Sequence, residues 1–152
     1  MSGEHTLAVQ IVRSIVIDRH VEEVFAFVAD PRNDVRWCEK VLSVEHVEGD
    51  EPGRGSRYAV LHRPVPLRPA RWMAYECLEW HPPGWIRWRE DDGHDVIEVT
   101  YELEPVWTAT RMPQRDEARL GAPRLLHPLL KAGIGRDVAR QLRALKRLLE
   151  RV

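Results

Sequence analysis

The stretch Ile11-Val-Arg-Ser-Ile-Val-Ile-Asp-Arg-His-Val-Glu-Glu-Val-Phe-Ala-Phe-Val-Ala-Asp-Pro-Arg-Asn-Asp-Val-Arg-Trp37 decides the fold. It opens as a strand over 7–17, rich in Val and Ile and partly alternating. Then the period changes. Val21, Val24, Phe25 and Val28 recur at helical spacing, with Asp18 placed to cap them. Glu22 and Glu23 fall in the first turn, where the helix dipole favours negative charge. Asp30-Pro31 stops that helix, because a residue before proline is pushed out of the α region. A second helical turn is predicted over 33–37.

Beyond residue 41 the period moves towards two. Strands are predicted over 41–47, 57–63, 71–80, 85–90, 96–103 and 108–117. The clearest has Ile97, Val99, Tyr101 and Leu103 on one face and Glu98, Thr100 and Glu102 on the other. Pro64, Pro66 and Pro69 cannot donate to a ladder, so 64–69 is read as a loop. The tail changes period again. Leu126, Leu130, Ile134, Val138, Leu142, Leu145, Leu149 and Val152 stand three or four apart, with arginines and lysines between them. This is an amphipathic helix. Pro128 belongs in its first turn or at a kink. Gly133 and Gly135 each cost about 1 kcal/mol relative to alanine, so a bend or a close backbone approach is expected there. Many hairpin-length turns and one long helix point to an α+β fold, an antiparallel sheet of about seven strands packed on that helix.

Composition narrows the function classes. A chain of 152 residues is read as one domain, 1–152. A net charge of −1 gives no bulk attraction to nucleic acid or anionic membrane. Six basic and two acidic residues lie over 136–152 of the last helix, but a solvated face explains them without nucleic acid, since no aromatic platform interleaves. No run of about 18 apolar residues is present, so no membrane span is expected. With no basic leader and only Cys38 and Cys77, the expectation is a cytoplasmic protein with two reduced thiols. The seven histidines show no ligand spacing, so no metal is expected. Gly53-Arg-Gly55-Ser-Arg-Tyr58 lacks the third glycine and the following helix of a phosphate loop, and is read as a turn into a strand.

The order strand, two short helices, strands, long helix resembles the helix-grip fold of the START-like superfamily, in its polyketide cyclase/dehydrase-like branch. The resemblance rests on Val24-Phe25-Ala-Phe27-Val28, Asp30-Pro31 and Trp37; on Gly55; on Tyr75-Glu76 leading to Pro82-Pro83; and on Thr110-Arg-Met-Pro-Gln114-Arg-Asp116 before the last helix. It implies a curved sheet wrapped around the helix and an internal cavity that takes a small hydrophobic or aromatic ligand. It implies no cofactor and leaves the oligomeric state open. The branch contains aromatases and cyclases, carriers, receptors, and proteins that sequester reactive natural products such as enediynes. In the aromatase-cyclases a cavity arginine and a tyrosine are the usual catalytic groups. Here the corresponding stretches read Tyr75-Glu-Cys-Leu-Glu-Trp80 and Leu42-Ser-Val-Glu-His46, so neither group is in place and weight moves to binding.

Alternation then proposes the cavity wall. If Ile97 and Tyr101 point inward, so do Met73, Tyr75 and Cys77, then Ile86 and Trp88, then Thr110, Met112, Gln114 and Asp116, and Tyr58, Val60 and His62. The expected contact residues are Trp37, Tyr58, Met73, Tyr75, Trp88, Val99, Met112, Gln114, Leu126, Leu130 and Ile134. The same side chains would also make an ordinary packed core. If chemistry occurs, His62, Tyr101 and Asp116 are the acid–base groups, with burial moving His62 down and Asp116 up towards neutrality. Three readings follow: a binder of a polyketide-like or polycyclic natural product, in biosynthesis or self-resistance; a cofactor-free aromatase or cyclase; and a protein-interaction module.

Overall fold

The computed structural model describes residues 8–51 and 53–151. Leu7 and Val152, expected to open the first strand and to end the last helix, lie outside the described residues. The chain runs β1 (Val9–Ile17), α1 (Val21–Val28), a 3-10 turn (Pro31–Arg36), β2 (Val41–Glu48), β3 (Arg57–His62), β4 (Arg71–His81) and β5 (Trp85–Asp91). There follow β6 (Val96–Glu102), β7 (Glu104–Val106), β8 (Ala109–Arg119), a second 3-10 turn (Arg124–Leu126) and α2 (His127–Glu150). One antiparallel sheet has the order β1-β8-β6-β5-β4-β3-β2, with β7 paired to β8 off that path. This is the helix-grip fold. The seven strands of the main path were legible as alternating runs. The three-residue β7 was not, because Pro105 at its centre argues against a strand.

Local chemistry sets the corner between β1 and β2. Asp18 does not cap α1. His20 takes the N-cap position with an extended backbone and no side-chain hydrogen bond. The Asp18 N–H instead donates to the Glu150 carboxylate at 2.8 Å, Arg19 Nε donates to the Leu149 carbonyl at 2.8 Å, and Lys146 Nζ donates to the Val16 carbonyl at 2.6 Å. The C-terminal end of α2 is thereby fastened to the β1–α1 corner. Asp30 does act as a cap, but of the 3-10 turn: its carboxylate accepts from the Arg32 N–H at 3.0 Å. That turn starts at Pro31, two residues earlier than its apolar pattern suggested.

Register brings inner-face residues into rows. One row runs Tyr58, Tyr75, Glu90, Ile97, Ala118 across β3, β4, β5, β6 and β8. Another runs Cys77, Trp88, Val99, Asp116, Ile11. A bulge between Cys77 and Glu79 returns Trp80 to the inner face, where Phe25 of α1 meets it edge-on at 5.2 Å. The Gly53–Ser56 segment is a turn into β3, as its residues indicated: the Ser56 hydroxyl donates to the Gly53 carbonyl at 2.8 Å.

α2 covers this inner face unevenly. Val138, Leu142 and Leu145 are buried against the sheet core. Upstream, Leu129 is 69% exposed and a Cβ at Gly133 would meet nothing. Gly135 is different: a Cβ there would sit 2.5 Å from the Arg13 guanidinium of β1, so this glycine does mark a close approach. Pro128 lies in the first turn, where it removes no helical hydrogen bond.

Two substitutions test this division. Leu142→Ala should cost about 2–5 kcal/mol by leaving a hole in a filled region. Gly133→Ala should add up to about 1 kcal/mol, since the methyl group meets no neighbour and helix propensity rises. Urea melts of both variants check the pair.

Candidate functional site

Between the N-terminal half of α2 and the inner sheet face lies a cavity of about 390 Å³. That is within the size range of small-molecule sites, which begins near 300 Å³. Its wall is apolar: Met73 of β4, Ile97 and Val99 of β6, and Leu130, Ile134 and Val138 of α2. At the rim, Lys40 pairs with Asp137 of α2, and Arg71 pairs with Asp92 at 3.5 Å. His62 belongs to this charged rim. Burial lowers its pKa, Lys40 and Arg71 lower it further, and Asp92 and Asp137 oppose them. Pro64, the first residue of the proline loop, also contributes to the lining.

The other end of the cavity is polar, with Asp116 buried and Asp34 and Glu90 half-buried. Asp34 from the 3-10 turn, Glu90 from β5 and Asp116 from β8 line it with Cys38, Tyr75, Tyr101 and Gln114. Burial pushes all three carboxyls up. Asp34 is raised further by Asp30, and Glu90 by Asp116 and Asp34. Asp116 is carried from 3.8 to about 6, restrained by the Gln114 amide, which donates to its carboxylate at 3.0 Å. Burial also raises Tyr101 and Cys38, and each feels the charge of all three carboxyls, so the acids converge on one region. The Trp37 indole N–H points towards Asp34 and lowers it slightly, but makes no hydrogen bond of ordinary geometry. Among the described residues, no group of three His, Cys, Asp or Glu side chains is close enough to hold a metal ion. No helix there is long and apolar enough to cross a membrane.

A long helix gripped by a curved antiparallel sheet, with a cavity between them, is the outline of one family. The family model "Polyketide cyclase / dehydrase and lipid transport" matches residues 8–150.

The chain belongs to that family.

Solved structures place it in the START-like branch of folds. A START superfamily protein of Mycobacterium smegmatis matches at 14% identity and TM-score 0.78, over 93% of this chain and 97% of that one. The Zhui aromatase/cyclase of Streptomyces sp. R1128 matches at 13% identity and TM-score 0.77, over 93% of each chain. TTHA0849 of Thermus thermophilus matches at 20% identity and TM-score 0.75, over 91% of this chain and 94% of that one. No curated protein matches the chain in sequence.

Within this polyketide cyclase/dehydrase family member, the expected site residues divide. His62, Tyr101 and Asp116 all line the cavity, as do Met73, Tyr75, Val99, Gln114, Leu130 and Ile134. Tyr101 and Asp116 share its polar end, on adjacent strands in neighbouring register. His62 does not join them. Its strand, β3, is three strand spacings from β6, roughly 14 Å along the sheet, and its charge environment is the rim.

Five expected contact residues lie outside the lining. Trp37 packs behind Tyr101, with ring centroids 6.4 Å apart. Trp88 is sealed beneath the polar end, against Tyr58 at 5.8 Å. Tyr58 itself faces a separate groove beside Trp80 and Pro83. Met112 is fully buried in the core, and Leu126 precedes α2 with 45% of its surface exposed. For Tyr58, Trp88 and Met112 alternation gives the face but not the depth along the strand, while Trp37 and Leu126 lie at 3-10 turns, where no strand alternation applies.

Asp34 and Glu90 were missed. Glu90 was accessible to the same reasoning, since the alternation that turned Ile86 and Trp88 inward turns Glu90 inward too. Asp34 carries no such signal, because a single 3-10 turn has no period long enough to orient a side chain.

A carboxyl whose folded pKa lies above its unfolded value stabilises the fold below the unfolded pKa, and that contribution is lost as pH rises through the folded one. For Asp116 the window runs from 3.8 to about 6. Asp116→Asn keeps an oxygen to accept the Gln114 N–H. It should raise stability by up to about 3 kcal/mol at pH 8 and by almost nothing near pH 4. Denaturant melts of both proteins across that range measure the difference.

Proposed function

We propose that the cavity binds a hydrophobic, polyketide-like or polycyclic natural product, and that the protein serves as a biosynthetic accessory or a sequestering, self-resistance protein. The observation that carries this reading is the void of about 390 Å³ itself, bounded on the helix side by Leu130, Gly133, Ile134 and Val138 of α2. An apolar wall with a small set of converging polar groups suits a ring system with a few oxygens or nitrogens. An open interior argues against a protein-interaction module, which has no use for a void. Family membership and the likeness to an aromatase/cyclase support a small hydrophobic ligand.

A second reading is favoured by the polar end. Glu90, raised well above its ordinary value, and Asp116, raised to about 6, set two carboxyls of weakened acidity at one end of the cavity. A cofactor-free aldol cyclisation uses such a pair. The Asp116 carboxylate takes a proton from a carbon between two carbonyls. The resulting enolate carbon bonds to a ketone carbon as that carbonyl's π bond opens, and Tyr101 or Glu90 protonates the new alkoxide. That C–C bond closes the ring; loss of the new hydroxyl and a remaining α-proton as water leaves a carbon–carbon double bond, and the proton on Asp116 returns to Tyr101 or Glu90, with no net oxidation.

The experiment is incubation of the pure protein with an organic extract of polyketide-producing cells, followed by mass spectrometry of what the protein retains. A compound recovered unchanged supports binding. A compound that loses water only with protein present supports the cyclase, and turnover should then fall at least about tenfold in Asp116→Asn. Ile134→Trp, which fills the void, should abolish retention while leaving the melting behaviour of a folded protein. Equal retention by that variant sinks the cavity as the site.

A further inference from the structure

The polar end of the cavity has acceptors without matching donors. Asp34, Glu90 and Asp116 line it, and among the described residues none forms an ion pair. The cations that line the same cavity are engaged at the rim, Lys40 by Asp137 and Arg71 by Asp92. Gln114 is an independent indication. Its side chain is 97% buried, its Nε2 donates to Asp116, and its Oε1 has no donor at all. A buried acceptor left unpaired costs about 1–3 kcal/mol, so such an atom marks a place where a donor belongs. The donors at hand, the Trp37 indole and the Tyr75 and Tyr101 hydroxyls, are neutral and do not offset three carboxyls.

We propose that the ligand is an organic cation, a basic amine carried on a hydrophobic ring system, with its ammonium seated among Asp34, Glu90, Asp116 and the Gln114 amide oxygen. This rests on the cavity being the ligand site, and names the class of ligand. An ammonium brings up to three N–H donors and the missing charge, while the ring system covers Met73, Val99 and Ile134. A shared metal ion fits less well: it draws its oxygens to roughly 2–2.6 Å, closer than the N–H···O spacing of about 2.8 Å that serves an ammonium, and among the described residues no three acids are set for that. Burial disfavours the charged form of all three acids, which draws protons towards them in the absence of a ligand. The ammonium takes the place of that positive charge, so binding releases protons.

All titratable groups facing the seat bear on its pH response. Asp34 and Cys38 come from the turn and its exit, Tyr75 from β4, Glu90 from β5, Tyr101 from β6 and Asp116 from β8. The nearest acid on α2, Asp137, is held by Lys40, and His62 lies with them at the rim. Every free acid at the seat is a carboxyl raised by burial, so amine affinity should climb as pH rises through and above about 6.

Calorimetry on the intact protein tests this with three probes of one shape: 2-(2-naphthyl)ethylamine, 2-(2-naphthyl)ethanol and 2-naphthylacetate. At pH 7.5 the amine should bind about tenfold or more tighter than the alcohol, with the acetate weakest. Two buffers of different ionisation enthalpy should report proton release for the amine alone. At pH 5 its advantage should shrink to about threefold or less. The double variant Asp34→Asn, Glu90→Gln should lose the advantage while holding alcohol affinity within about twofold, which also shows that it is folded. An alcohol that matches the amine on the unaltered protein, or an advantage that survives the double variant, overturns the proposal and leaves the cavity as a neutral-ligand site. Failure of all three probes to bind overturns the cavity reading and this proposal with it.

Discussion

One constraint shapes this molecule: the concave side of a long antiparallel sheet has to be covered, and one long helix covers most of it, with α1 closing the side at Trp80. α2 satisfies the constraint along only part of its length. From Val138 onward its apolar stripe is filled against the sheet, and its last turn is fastened to the β1–α1 corner by hydrogen bonds from Asp18, Arg19 and Lys146. Before Val138 the same helix spans a void. Fixing the far end leaves the near end to roof a space without holding the fold together. Stability and ligand access are thus divided along one element.

The division explains why polar groups survive inside. A carboxyl surrounded by packed hydrocarbon is destabilising by several kcal/mol unless it is paired or protonated. Asp34, Glu90 and Asp116 reach instead into open volume, and their surroundings let them keep a proton. Glu90 stands in a row between Tyr75 and Ile97, a position that an antiparallel sheet normally fills with an apolar side chain. Its presence there departs from core patterning, and such departures concentrate where proteins bind or react. The two thiols show the opposite case. Both are buried, and burial pushes both up, Cys77 to about 11, so neither is poised as a nucleophile.

How much of this was readable depended on period. Strand and helix repeats carry direction, so the sheet, the gripped helix and the inward sides of β3 to β6 and of β8 followed from Tyr58, Met73, Ile86, Val99 and Met112 and their alternation. Depth has no repeat. Nothing in the spacing of Trp88 or Met112 distinguishes a side chain in the cavity wall from one sealed behind it. Caps were ambiguous for a related reason. Asp18 and Asp30 both stand just ahead of helical segments, and only tertiary contacts send Asp18 to α2 and leave Asp30 on the turn. The rim was out of reach altogether, since Lys40 and Asp137 are 97 positions apart in the chain.

Gly133 gives the void a history as well as a shape. Its missing side chain is directed at empty space, on the roof and not on the sheet. One helical position can therefore trim the chamber: a methyl group at 133 enters open volume and touches no neighbour. Selection for a different guest has a single-codon route at this site, and that route leaves the machinery of folding alone. A scaffold built this way can diversify its cargo faster than its architecture.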